Sequence, residues 1–168
     1  MNVMNQELDD YRRTEDGKII QGASHTCRVL NHKARNKVII KAVCDLRKIS
    51  DRFDSIACCG VSGLVVVPQI AELLDKHIVV VRKPDEERYS DFYVEGVSPF
   101  RYIIVDDLIC SGNTLKWIRQ AIHEDNPKAQ CVGLYCYIPE ECAYRENTVK
   151  EFETRYRIPL LNPAPVKT

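Results

Sequence analysis

Two adjacent aspartates end an apolar run past the middle of the chain, and a short polar loop follows them. Asp106 and Asp107 close the run FRYIIVDD (100–107). The loop is small and turn-prone, and it contains Ser111, Gly112, Asn113 and Thr114. Such a loop before a helix directs several backbone N–H groups to one point, where the positive end of the helix dipole adds to them. The segment therefore predicts a cradle for a phosphate group.

The two acids in front of this loop need a different partner. Asp106 and Asp107 would repel a phosphate placed directly on them, but carboxylates accept hydrogen bonds from vicinal hydroxyls and bind Mg²⁺. A ligand with a phosphate next to a diol, such as ribose 5-phosphate, satisfies both halves of the segment. Two plainer interpretations stay open: a helix cap with a turn, or the phospho-acceptor pocket of a receiver domain.

The elements that must position these residues follow an alternating pattern. Apolar runs predict strands, and they are SIACC (55–59), HIVVVRK (77–83), FRYIIVDD (100–107) and QCVGLYCYIP (130–139). Helical spacing predicts helices over 33–49, from Ser62 to about Lys76, and over 111–125, while SHTCRVLN (24–31) alternates as a short strand does. Uniformly apolar strands that alternate with helices are typical of parallel βαβ units. We predict an α/β fold with a central, mostly parallel twisted sheet, helices on both faces and a small hood.

Ligands bind outside the carboxyl ends of the strands in such sheets. Three strand ends carry residues suited to this, and they are Cys59 to Gly63, Arg82-Lys83, and Asp106-Asp107. We expect all three to face one crevice.

Length and charge limit the range of functions. The 168 residues fit one domain, with a polar leader over 1–20, a core over about 33–138, and a hood from 21–32 and 137–168. Lys plus Arg and Asp plus Glu both number 24, so bulk charge gives no argument for nucleic acid or an anionic membrane as partner.

Three observations predict a cytoplasmic location. No apolar run approaches the ~20 residues of a membrane helix, and the first residues do not form a secretory signal. The eight cysteines are interpreted as reduced thiols that act as small apolar residues.

The segment VDDLICSGNTL (105–115) resembles the PRPP (5-phosphoribosyl 1-pyrophosphate) signature of type I phosphoribosyltransferases. Two further segments are similar to that family: 53–74 to its first strand and pyrophosphate loop, and 77–86 to its next strand. DEERYSDFYVEG (85–96) stands where the family has its flexible catalytic loop. The resemblance covers about residues 52–138.

The resemblance implies a role for each part of the segment. The residues that would hold the 5-phosphate of PRPP are Cys110, Ser111, Gly112, Asn113 and Thr114. Asp106 and Asp107 would bind the ribose hydroxyls and organise Mg²⁺. The pyrophosphate would be approached by the backbone of Gly60, Val61 and Ser62 and neutralised by Arg82 and Lys83. Asp106, Asp107 and Lys83 are the catalytic residues in this scheme, although a solvated strand end also explains Arg82-Lys83.

The resemblance also implies an activity. The chain would be a Mg²⁺-dependent transferase of nucleotide salvage, a homodimer by analogy, that moves the 5-phosphoribosyl group from PRPP to a nucleobase and releases pyrophosphate. Family members that use 6-oxopurines commonly have an aspartate third after the second acid, where this chain has Cys110, which favours the adenine or orotate type.

Two alternatives to this enzyme stay open. The loop over 84–96 has no glycine pair and no lysine after Lys83, which leaves room for a non-catalytic regulatory module that binds PRPP or a nucleotide. A different phosphate-binding α/β protein is the other alternative.

Overall fold

The structure is a computed structural model that describes residues 27–84, 91–107, 109, 111–138 and 146–161. Five strands in this part of the chain form one sheet: β1 (Ser55–Cys59), β2 (His77–Val81), β3 (Val94–Gly96), β4 (Arg101–Asp106) and β5 (Gln130–Cys136). Their order is β3-β2-β1-β4-β5, and all neighbours are parallel except the antiparallel pair β2 and β3. The predicted mostly parallel sheet is confirmed.

The described helices are α1 (Cys27–Leu30), α2 (His32–Arg47), α3 (Gly60–Leu74), α4 (Asn113–Asp125) and α5 (Glu146–Tyr156), with a 3-10 turn at Ser50–Arg52. The start of α2 is capped by Asn31, whose side chain accepts hydrogen bonds from the amides of Lys33 (3.0 Å) and Ala34 (3.1 Å). This cap satisfies two of the four N–H groups that a helix start leaves without a partner.

Helices cover both faces of the sheet, as predicted. Side chains of β1 alternate between the faces, with Ile56 and Cys58 in the core under α2 and α3, and Ala57 and Cys59 in the core under α4. All four are buried, which explains why the strand reads as a uniformly apolar run.

The strand predicted over 24–31 is wrong for its described part. Cys27–Leu30 forms one helical turn that contacts α2 and α3 and buries Val29 completely. A strand needs a neighbouring strand for its backbone N–H and C=O groups, and a segment packed on two helices satisfies them in a helical turn instead.

The interpretation of the cysteines as reduced thiols is corrected at one position. Cys44, Cys58, Cys59 and Cys131 have free thiols, but Cys136 is disulfide-bonded. A sequence shows the number and spacing of cysteines, and only the fold decides which of them meet.

A C-terminal segment extends the β5 edge of the sheet. The amide of Leu134 donates to the carbonyl of Pro159 (2.9 Å), and the amide of Leu161 donates to the carbonyl of Leu134 (2.7 Å). Of the predicted hood and leader, residues 1–26, 139–145 and 162–168 lie outside the described part. No described helix combines the length and the apolar character that crossing a membrane requires.

Candidate functional site

A cleft opens at the point where the strand order of the sheet reverses. From β1 the chain passes to β2 on one side, while β4 lies on the other side of β1. In open α/β sheets the carboxyl ends of two such strands leave a crevice for a ligand. The cleft here has a volume of about 240 Å³. Its lining consists of Cys59, Ser62, Lys83, Asp106, Asp107, Ile109, Ser111, Gly112, Asn113, Thr114 and Leu115.

The lining includes residues from all three strand ends that the sequence analysis assigned to ligand binding. Ser62 follows β1, Lys83 follows β2, and the two aspartates end β4. The loop from Ser111 to Thr114 completes the wall. Cys110, also assigned to phosphate binding, lies outside the described residues.

Asp106 and Asp107 lie deep in this cleft. Both are buried, with 7% and 4% of their surface exposed. The amide of Asp107 donates to Oδ1 of Asp106 at 3.0 Å, and the Ser62 hydroxyl makes a long 3.5 Å hydrogen bond to the same oxygen. Burial, followed by the charge of Asp107, raises the pKa of Asp106 to about 8. A cation bound beside these acids would favour the ionised carboxylate and lower this pKa.

The backbone that carries the acids is held by the continuation of β5. The amide of Tyr137 donates to the carbonyl of Asp106, and the amide of Ile138 donates to the carbonyl of Asp107, both at 3.0 Å. These bonds extend the sheet past the end of β4, so the two carboxylates start from a rigid backbone.

Tyr137 is a residue of this region that the sequence analysis did not single out. Its hydroxyl donates to the carbonyl of Ser62 at 3.0 Å, which ties the first turn of α3 to β5. Burial, with the charges of Asp107 and Asp106, raises the pKa of Tyr137, so the hydroxyl keeps its proton. The only sequence signal was an aromatic residue two positions before Pro139, where the apolar run of β5 ends.

The phosphate cradle is built on the start of α4. Gly112 precedes the helix with φ of 77°, in the left-handed region that favours glycine. Gly112 has no side chain that could cap the helix, and the amide of Asn113 makes a long contact with the Ser111 hydroxyl (3.4 Å). Thr114 and Leu115 of the first turn line the cleft, and the start of a helix favours an anion.

The predicted pyrophosphate loop is the first turn of α3. The helix begins at Gly60 directly after β1, two residues earlier than the sequence predicted. Ser62 lines the cleft, whereas Gly60 and Val61 are not part of the lining and Val61 is 67% exposed. A Cβ on Gly60 would lie 3.6 Å from Cε and 3.8 Å from Nζ of Lys83, so this glycine lies directly beneath the lysine.

Arg82 and Lys83 have different surroundings. Lys83 lines the cleft, whereas Nε of Arg82 pairs with Oε1 of Glu95 at 3.0 Å, and Arg82 is not part of the cleft lining. Successive side chains of extended backbone point to opposite sides, which explains why Lys83 lines the cleft and Arg82 does not. Residues 85–90 of the predicted catalytic loop lie outside the described part.

The donor set of the cleft fits Mg²⁺. No group of three or more His, Cys, Asp or Glu in the described ranges is arranged to hold a metal ion by itself. Mg²⁺ commonly binds through one or two carboxylates and takes its other ligands from water and substrate phosphates. Asp106 and Asp107 beside a phosphate cradle are such a partial set.

Sequence comparisons identify no relative. A scan against protein-family models and a search of curated proteins both find no match.

Several solved structures are similar to this one in fold. The structure is similar to orotate phosphoribosyltransferase of Francisella tularensis with a TM-score of 0.59 and 12% identity, over 94% of this chain and 83% of that one. Adenine phosphoribosyltransferase of Trypanosoma brucei was solved with AMP, pyrophosphate and ribose-5-phosphate. It is similar with a TM-score of 0.58 and 12% identity, over 94% of this chain and 77% of that one. Adenine phosphoribosyltransferase of Leishmania donovani is similar with a TM-score of 0.58 and 15% identity, over 95% of this chain and 78% of that one. The chain has the α/β fold of these phosphoribosyltransferases.

Proposed function

We propose that the chain is a phosphoribosyltransferase, which moves the 5-phosphoribosyl group from PRPP to a nucleobase and releases pyrophosphate. One observation carries the proposal: a single cleft at the switch point of the sheet contains a helix start, a pair of buried acids and a lysine. The fold likeness supports it, since the similar Trypanosoma brucei enzyme was solved with AMP, pyrophosphate and ribose-5-phosphate.

The start of α4 would hold the 5-phosphate. Ser111 and the first turn of α4 line the cleft, so their backbone amides and the hydroxyls of Ser111 and Thr114 would be the donors. Hydrogen bonds to a charged oxygen contribute about 1.5–3 kcal/mol each, so three or four of them can hold a monophosphate with micromolar affinity, which needs about 8 kcal/mol.

The two acids would hold the ribose ring. Their carboxylates accept hydrogen bonds from the 2- and 3-hydroxyls, and the backbone bonds from Tyr137 and Ile138 keep them in place. Mg²⁺ bound by Asp106 and Asp107 would supply positive charge that neutralises pyrophosphate oxygens.

Lys83 and the first turn of α3 would bind the leaving pyrophosphate. As the bond from ribose C1 to the pyrophosphate oxygen breaks, its electron pair stays on that oxygen and negative charge grows there. The lone pair of the ring nitrogen of the base forms the new bond to C1, and the proton of that nitrogen passes to water. Lys83 lies over Gly60 at the helix start, so an ammonium group and a helix dipole act on the same charge.

Several parts of this proposal rest on the sequence alone. The adenine or orotate type rests on Cys110, a role in nucleotide salvage and a homodimer rest on the resemblance to the family, and a cytoplasmic location rests on the sequence features described above. The assignment of Gly60, Val61 and Arg82 to pyrophosphate has less structural support than that of Ser62 and Lys83, which line the cleft.

A panel of bases tests the proposal. The purified chain is incubated with PRPP, Mg²⁺ and one of adenine, orotate, uracil, xanthine, hypoxanthine or nicotinate, and both nucleotide and pyrophosphate are measured. We expect one base, adenine or orotate, to give both products in equal amounts, and the double variant Asp106→Asn/Asp107→Asn to give neither.

Thermal shifts measured in parallel separate the alternatives. Stabilisation by PRPP without any nucleotide would favour the non-catalytic regulatory module. A nucleoside monophosphate that stabilises the chain as well as PRPP does, again without turnover, would favour a different phosphate-binding protein. No stabilisation by PRPP at all would contradict both PRPP-based functions.

A further inference from the structure

Trp117 connects the helix of the phosphate cradle to the strand end that carries Lys83. It lies on α4, one helical turn after Asn113, and its indole Nε1 donates to the carbonyl of Arg82 at 2.8 Å. That carbonyl belongs to the same planar peptide group as the backbone nitrogen of Lys83. The indole therefore fixes the orientation of the peptide from which the Lys83 side chain starts.

The same peptide region is held by Tyr93, directly before β3, and by Glu95 of β3. The amide of Arg82 donates to the carbonyl of Tyr93 at 2.8 Å, and its guanidinium pairs with Glu95. The Tyr93 ring meets Trp117 edge-to-face, with ring centroids 4.9 Å apart and planes at 88°, a favourable aromatic arrangement. Trp117 is thus held by Tyr93 in the rotamer that reaches the carbonyl.

This contact matters because the two ends of PRPP would bind to different elements. The 5-phosphate end would lie at the start of α4 and the pyrophosphate end at Lys83 after β2. The Lys83 side chain is flexible, but the backbone from which it starts decides which of its rotamers are allowed and where they place the ammonium group. A residue of α4 that holds this peptide therefore links the position of Lys83 to the helix of the phosphate cradle.

We propose that Trp117 is a positioning residue for PRPP, which acts through Lys83 on the pyrophosphate end of the ligand. The inference rests on the proposed function. It assigns Trp117 no contact with the ligand: a ligand that lacks the pyrophosphate does not use Lys83 and does not depend on the indole.

The test compares two ligands on four proteins. Affinities for PRPP and for ribose 5-phosphate, both with Mg²⁺, are measured by calorimetry for the unmodified chain, Trp117→Phe, Lys83→Ala and the double variant. Trp117→Phe keeps an aromatic ring beside Tyr93 and removes the N–H donor. We expect it to weaken PRPP about 3- to 10-fold, as the loss of one hydrogen bond does, and to leave ribose 5-phosphate unchanged. In the Lys83→Ala background the substitution should have no further effect.

A matched control separates positioning from stability. Ile118→Val changes the neighbouring, fully buried residue of α4 and should lower the melting temperature without changing the ratio of the two affinities. The inference is wrong if Trp117→Phe leaves the ratio unchanged, weakens both ligands equally, or acts independently of Lys83. Failure of the unmodified chain to bind PRPP would instead contradict the proposed function.

Fluorescence of the unmodified chain tests the inference without any variant. Trp117 is the single tryptophan of the sequence, so intrinsic fluorescence reports on this contact directly. We expect saturating PRPP to change its emission and ribose 5-phosphate to change it much less. Equal changes with both ligands would contradict the inference.

Discussion

At the scale of single residues, Asp106 is in a position that favours ligand binding over the stability of the empty protein. Its carboxyl is buried beside a second acid, and its pKa is about 8 in the folded state, against about 3.9 in an unfolded chain. Between these values the folded protein binds more protons than the unfolded one. Its free energy of unfolding therefore falls as the pH rises from about 4 to about 8.

Asp106→Asn should remove this pH dependence. In urea denaturation without ligand, we expect the free energy of unfolding of the variant to rise relative to the unmodified chain by at least about 1 kcal/mol between pH 5 and pH 8, since one pKa unit corresponds to about 1.4 kcal/mol. The exposed Asp125→Asn is the control, for which the difference should stay constant. Parallel curves for Asp106→Asn would mean that the carboxyl is already ionised in the empty cleft.

At the scale of elements, the close approach of α3 to β1 depends on Gly63. A Cβ at this position would lie 2.5 Å from Cβ and 3.2 Å from Sγ of Cys58. The neighbour is a strand side chain in the core and cannot move aside. Because the first turn of α3 contributes Ser62 to the cleft, this packing sets both stability and the position of the helix start.

Gly63→Ala should therefore destabilise the fold despite the better helix propensity of alanine. Overpacking typically costs about 1–3 kcal/mol, while the propensity gain is at most about 1 kcal/mol, so we expect a net loss in chemical denaturation. Gln69→Ala, on the exposed side of the same helix, should change stability by less than about 0.5 kcal/mol. A Gly63→Ala variant as stable as the unmodified chain would show that α3 can move away from β1 at no cost.

At the scale of the whole molecule, the chain after α5 closes one edge of the sheet. The backbone of Pro159 and Leu161 bonds to Leu134, and Ile158 is only 2% exposed. Leu161 lies over Gly133, where a Cβ would come within 2.7 Å of its side chain. The backbone N–H and C=O of Leu134 on this edge strand are therefore not available to another chain.

Ile158→Ala should reveal how much this segment contributes. Removal of a buried isoleucine side chain costs about 2–5 kcal/mol, measured as the change in free energy of unfolding. Leu73→Ala removes a similar aliphatic group at a position that is 54% exposed and should cost less than about 1 kcal/mol. A similar, small loss in both variants would mean that the C-terminal segment leaves the sheet edge before the domain unfolds.

Much of the fold could be predicted from local patterns. A uniformly apolar run indicates a strand buried on both faces, as in β1. Helical spacing of apolar residues indicates the buried side of α2, which consists of Ile39, Ala42, Val43 and Leu46. The strand predicted over 24–31 was wrong for Cys27–Leu30, because a short alternating run does not distinguish a strand from one helical turn.

Candidate site residues were predictable where they follow a strand end. Asp106, Asp107 and the loop after them have the residue types of a phosphate and hydroxyl site, and they do line the cleft. Tyr137 and Trp117 were not predictable as parts of this region, because their partners are the carbonyls of Ser62 and Arg82, 75 and 35 positions away along the chain.

By itself the sequence determined the α/β class, the parallel strands and the segment in which acids and a helix start meet, because burial periodicity and turn chemistry are local properties. Only the tertiary structure decided which cation faces the cleft, that α3 starts at Gly60, and that Cys136 is bonded. These features depend on strand register, on the direction of side chains at a strand end, and on contacts between distant segments, none of which a local pattern contains.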